Sequence, residues 1–241
     1  MKKGTRIALL VVLALLVVLG GLALWQKNNL KAAILYLKTD ETGSAEEIRD
    51  SRAQMQGSLQ EEYQIEILPP TLEQSDALLN GTVTPEEIKQ QLSLPQASPV
   101  TPEKQTDPSE TPSAQAPAQP AEPAQGRTEA EIVQECTQAL YACEVDLMAT
   151  LGQMKQNVID QWNELPEEQR TPARKREFGL DGLQECYKLE VQIDRQVQAI
   201  LDRYRAEMKE IGGRLSVFDD LWHYYLNEKA STKAYYLNKY L

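Results

Sequence analysis

Residues Thr128 to Leu165 read TEAEIVQECTQALYACEVDLMATLGQMKQNVIDQWNEL, and this stretch decides the fold. Thr128 and Glu131 make the Thr-x-x-Glu pattern in which hydroxyl and carboxylate satisfy each other's backbone amides at a helix start. From there Val133, Cys136, Leu140, Cys143, Leu147, Leu151, Met154, Val158, Trp162 and Leu165 step by 3, 4, 3, 4, 4, 3, 4, 4 and 3. Steps of three and four keep every one of these side chains on one helical seam. Leu165-Pro166 ends the run, and Pro166 to Arg176 reads as a charged turn region. A second seam builds up from Leu180 and Leu183 through Cys186, Leu189, Ile193, Val197, Ile200, Tyr204, Met208 and Ile211, with Gly212-Gly213 as its stop. Ser216 with Asp219 caps a third helix through Val217, Phe218, Leu221, Trp222 and Tyr225, and Ala230 to Leu241 reads as more helix. Two long helices packed antiparallel, with the aromatic C-terminal helices against them, bury both seams. The expected fold class is all-α, with residues 128–241 forming an antiparallel helical-hairpin or coiled-coil bundle domain.

Upstream, residues 94–127 hold eight of the chain's 13 prolines among Ala, Gln, Ser, Thr and Glu. Such a composition buries too little apolar surface to offset its ordering entropy, so a disordered Pro-rich linker is expected there. Residues 28–93 read as a juxtamembrane segment with short helices. Asp40 to Gly43 is expected to break the chain, and Ser44-Ala45-Glu46-Glu47 to cap a helix bearing Ile48, Met55, Leu59 and Tyr63. Gln64 to Leu68 alternates like a short strand, Thr71 to Leu79 reads as a short helix, and Thr84-Pro85-Glu86-Glu87 opens another to about Leu92. Asn80-Gly81-Thr82 matches the glycosylation sequon, although it coincides with an ordinary helix stop.

Ile7 to Trp25 is 19 residues without a charge or polar side chain. At about 1.5 Å per residue such a helix crosses the roughly 30 Å hydrocarbon core of a bilayer. Lys2, Lys3 and Arg6 precede it, and Lys27 and Lys31 follow. The positive-inside tendency then places residues 1–6 in the cytoplasm, a transmembrane helix at 7–27, and the remainder outside. The alternative is a cleaved signal peptide, with Gly21-Leu22-Ala23 as the small-x-small site. On both readings the downstream chain is exported.

The net charge of −11 is uneven: +4 over residues 1–27, −9 over 28–127 and −6 over 128–241. No basic stripe is present to neutralise phosphates, so no nucleic-acid partner is expected. Cys136, Cys143 and Cys186 with His223 resemble a metal set only by count. Residues seven apart on one helix lie about 10 Å from each other, too far for one zinc or a disulfide. All three cysteines fall on the apolar seams, where they act as small hydrophobes. No nucleophile elbow, glycine-rich phosphate loop or triad accompanies the single histidine, so no catalytic, cofactor or metal residues are expected and the chain reads as a non-enzyme.

Trp222, Tyr224, Tyr225, Tyr235, Tyr236 and Tyr240 crowd into 19 residues near the C-terminus. Adjacent pairs cannot both face one core, so at least one of each pair should look elsewhere. The favoured reading is that some of them close the end of the bundle, while exposed members would supply anchors for a protein or glycan partner. The function expected is therefore a single-pass, membrane-anchored, extracytoplasmic helical protein of the cell envelope, acting as an interaction or scaffold module. The alternative is a ligand-binding or sensory ectodomain using the aromatic cluster. Its partners would be the bilayer, through residues 7–25, and a protein, either a different one or a second copy of the chain.

Overall fold

The computed structural model describes residues 35–95 and 126–240, and among these the chain is all-α. The apolar span at 7–27, the Pro-rich stretch from residue 96 to 125 and Leu241 lie outside the described residues. Among the described residues, no helix is long and apolar enough to cross a membrane. After residues 35–38, which are helical, six α-helices follow: α1 (Glu41–Tyr63), α2 (Leu72–Leu79), α3 (Pro85–Gln91), α4 (Glu129–Glu164), α5 (Pro172–Glu210) and α6 (Ser216–Tyr240).

Helix starts follow the capping chemistry in most places. Thr71, Thr84 and Thr128 each accept from the third residue of their helix while Gln74, Glu87 and Glu131 reach back. The charged turn expected from Pro166 to Arg176 is shorter: Thr171 caps α5 at Pro172, so the second long helix begins eight residues before the first apolar seam residue, Leu180. The proposed cap at Ser44 is a correction. Helix α1 starts at Glu41, because the Asp40 carboxylate accepts the Gly43 amide. Ser44, buried inside the first turns, pairs instead with Thr39 and Asn238. The strand expected at 64–68 is also absent. Ile65 and Ile67 are buried and Leu68 is exposed, so the alternation is real, but among the described residues no second strand lies beside it.

Helices α4 and α5, of 36 and 39 residues, are about 54 and 58 Å long and pack as an antiparallel hairpin. Helix α6 returns along α5, and α1 lies along α6, while α2 and α3 close on α4. The hairpin is therefore covered on several sides. Its first seam is correspondingly wider than the single stripe in the sequence: Ile132, Val145 and Met148 are fully or nearly buried, whereas Leu140, Leu147 and Leu151 are half-buried. On α5 the seam holds, with Leu183, Leu189, Ile193, Val197, Tyr204 and Met208 buried and Leu180 exposed.

One core cluster runs from Ala45, Ile48, Met55, Leu59, Ile65, Ile67, Leu72, Leu78, Ile88 and Leu94 to Ile132, Met148, Ile193, Phe218 and Tyr236. Residues 128–241 thus do not bury their seams alone. The apolar side chains of residues 45–94 enter the same core as those of the hairpin. Two backbones approach closely at Gly152. A Cβ there would sit 2.6 Å from the Leu78 carbonyl oxygen and 3.1 Å from that of Leu79, so glycine lets the end of α2 rest directly on the α4 backbone.

Candidate interaction site and the buried charge network

The aromatic run on α6 is not a free surface. Tyr235 and Tyr236 are buried, and Trp222, Tyr224 and Tyr225 are half-buried against the core. Neighbouring tyrosines do diverge, but each meets a different helix. The Tyr225 hydroxyl donates to Asp194 on α5, while Tyr224 faces the α1 and α4 side next to Arg52 and Tyr141. Trp222 stacks at 5.4 Å on Tyr225, and Tyr235 meets Tyr236 edge-on at 5.0 Å. Trp222, Tyr224, Tyr225, Tyr235 and Tyr236 thus fill space between helices. The side chain of Tyr240 lies outside the described residues. His223 is exposed, its Nδ1 2.7 Å from the Asp219 carbonyl oxygen on the preceding turn.

Cys136 and Cys143 are buried and Cys186 half-buried, all as free thiols. Burial pushes the Cys136 and Cys143 thiols up to about 12, and that of Cys186 up to about 11. Cys143 lies 3.8 Å from the Gln196 amide oxygen across the hairpin. Among the described residues, no group of three or more His, Cys, Asp or Glu side chains is arranged to hold a metal ion.

What the core does contain is charge. Arg52, 7% exposed in the middle of α1, sends its Nε to Glu228 Oε1 on α6 at 2.6 Å and an Nη to Glu144 Oε1 on α4 at 2.7 Å. Its other Nη donates to the Pro70 carbonyl oxygen in the loop before α2. The Tyr141 and Tyr224 hydroxyls are neighbours beside this guanidinium, and neither closes a hydrogen bond of normal geometry. Among the described residues, Glu228 Oε2, also buried, has no partner either. Burial pushes the Glu144 carboxyl up to about 7, with Arg52 pulling it down and Glu228 pushing it further up.

Further pairs join the same elements. Lys89 of α3, 2% exposed, reaches Asp146 of α4 at 2.5 Å. Burial raises the Asp146 carboxyl, against the pull of that ammonium. Lys239 of α6 meets Asp76 of α2, and Arg214 pairs with Glu62 and Tyr63 at the end of α1. On the opposite side of α6, Lys229 takes Asp194 at 2.7 Å and Lys233 takes Glu190 at 2.6 Å, both on α5. Helix α6 is thus tied by polar side chains to α1, α2, α4 and α5, while α3 is tied to α4.

Sequence reasoning passed over Arg52, Glu144, Glu228, Lys89 and Asp146. One signal was present: the α1 stripe steps by seven from Ile48 to Met55, and Arg52 occupies the missing place in the 4, 3, 4 rhythm. A charge at a seam position needs a buried partner. Past Lys155 on α4 and Cys186 on α5, by contrast, the ring and charge contacts are within the hairpin. Trp162 meets Phe178 edge-on at 5.7 Å, and Arg170 closes the tip onto the Asn163 and Leu165 carbonyl oxygens. Leu180 is 57% exposed there, and Tyr187, just past Cys186 on the side of the body, is 42% exposed. Comparison with family models, characterised proteins and solved structures returns no match for this chain.

Proposed function

We propose that the chain is a membrane-anchored extracytoplasmic helical scaffold, held to the bilayer by residues 7–25, that presents the distal half of its α4–α5 hairpin to a protein partner. The observation that carries this reading is how the polar side chains are used. The buried acids and bases among the described residues pair with each other across helices, and they tie the body together around α6. The tip of the hairpin lies beyond those ties and keeps Leu180 at its surface, with Tyr187 exposed at its base. Large apolar side chains on a rigid element are the usual anchors of a protein contact. The anchor and its orientation rest on the apolar run Ile7–Trp25 and its flanking lysines and arginine. A ligand-binding reading through the aromatic run has less support, because those rings fill interhelical space.

The test is affinity capture from detergent-solubilised membranes with the full chain as bait. Leu180→Glu with Tyr187→Glu is expected to lose a partner that the parent retains, at unchanged helical content. Equal capture by both baits, or by neither, refutes the hairpin-tip reading.

A further inference from the structure

Two carboxylates and one guanidinium meet inside the body, so the cluster carries an excess negative charge when both acids are ionised. Arg52 contributes the cation from α1, Glu144 an acid from α4 and Glu228 an acid from α6. The other titratable groups facing them are the Tyr141 hydroxyl on α4 and the Tyr224 hydroxyl on α6. The loop before α2 adds only the Pro70 carbonyl oxygen, a further acceptor. Helix α5 sets its acids, Glu190 and Asp194, against Lys229 and Lys233 on the next turns of α6. No second cation therefore reaches the cluster among the described interactions. Among the described residues, Glu228 Oε2 is left without a donor. Two like charges around one counter-ion in a desolvated place favour uptake of a proton by one of them.

We propose that Glu144 is a proton-binding site that clasps α1 to the helical body, gripping when it is protonated and loosening when the proton leaves. A neutral Glu144 leaves Arg52 and Glu228 as a matched ion pair and supplies a hydroxyl donor to the acceptor-rich cluster. Ionised, it puts an uncompensated charge between α1, α4 and α6. Glu144 keeps 23% of its side-chain surface exposed, so the proton exchanges with solvent without unfolding. The direction of the upward shift agrees: the folded chain holds a proton that the unfolded chain has released from about 4.5 to about 7. Stability therefore falls as pH rises through that window, and acidification within it strengthens the clasp.

The experiment combines carbon-13 detection of the glutamate carboxyls in the full chain in detergent with urea unfolding at pH 5.5 and pH 8. One carboxyl titrating near 7 is expected, absent in Glu144→Gln and shifted to lower pH in Glu228→Gln. The urea midpoint should drop by roughly 0.5 M between the two pH values in the parent. Most of that drop should vanish in Glu144→Gln, which at pH 8 unfolds at or above the parent midpoint. The double variant Glu144→Gln/Glu228→Gln leaves Arg52 without an anion and should fall below either single variant at both pH values. Every glutamate titrating below pH 5 overturns the proposal, as does Glu144→Gln weakening the chain at pH 8 with the parent's slope intact. The carboxyl titration decides the matter on the unsubstituted chain should a variant fail to fold.

Discussion

Gly152→Ala tests a close backbone contact in the body. In an exposed helix interior this change is favourable by about 1 kcal/mol, because alanine restricts the unfolded chain and glycine does not. At residue 152 the new methyl would lie 2.6 Å from the Leu78 carbonyl oxygen, where ordinary contact begins at 3.4 Å. The end of α2 must move off by about 0.8 Å, the difference of those distances. Both atoms belong to helix backbones, so no side chain can swing away. Leu78, 2% exposed, is drawn out of the core with it. Overpacking of this kind costs about 1–3 kcal/mol. Set against the propensity gain, a net loss of up to about 2 kcal/mol is expected, or up to roughly 4–8 °C in Tm for a body this size. Gly57→Ala is the internal reference: it is exposed on α1 with nothing within 4 Å of its new methyl, and should gain about 0.5–1 kcal/mol. Thermal melts followed at 222 nm compare the two. A Gly152→Ala chain that melts at or above the parent would refute the docking of α2 on α4.

Three further substitutions probe the core and its charges. Ile132→Ala, at a fully buried site, should cost about 2–5 kcal/mol in urea unfolding, and the half-buried Leu147→Ala distinctly less; equal costs would contradict the several-sided packing of α4. Arg52→Met strands Glu144 and Glu228 together and should cost about 3–5 kcal/mol at pH 8, less at pH 5.5 where Glu144 takes up a proton; a pH-independent loss would show that the two acids do not share the guanidinium. Iodoacetamide at pH 8 should leave Cys136 and Cys143 unmodified in the folded chain and alkylate both in urea, since burial hides them and holds their thiols up to about 12. Modification of either at the rate of a free thiol would place it outside the core.

Much of the helical layout was legible because local chemistry sets it. The threonine caps at 84 and 128, the proline start at 85 and the glycine stop at 212–213 fix where helices begin and end through their own backbone amides and carbonyls. Ser44 shows the limit of that reasoning. Its capping pattern is sound, but Asp40 lies four residues earlier and satisfies the Gly43 amide first, so the helix starts there. The α5 seam could be read as a stripe because its apolar cover comes mainly from α4, while α6 meets it largely through Asp194 and Glu190. The α4 seam could not, since α2 and α3 approach it from a second side that the residues of α4 do not disclose. Tyr224 and Tyr225 make the same point. Spacing showed that they diverge, but not that α4 waits for one and α5 for the other. Partner choice across a long connection is a property of the assembled shape. Arg52 was visible only as a gap in a stripe.

The central claim is that residues 41–95 and 126–240 form one body with one core, joined through α6 and the Arg52 cluster. A specific protease site placed near residue 110 tests it directly. After complete cleavage of the full chain in detergent, the two pieces should elute together at the volume of the uncut protein and separate only in denaturant. Two separately eluting pieces under native conditions, with the C-terminal piece keeping its helical signal and melt, would contradict the account.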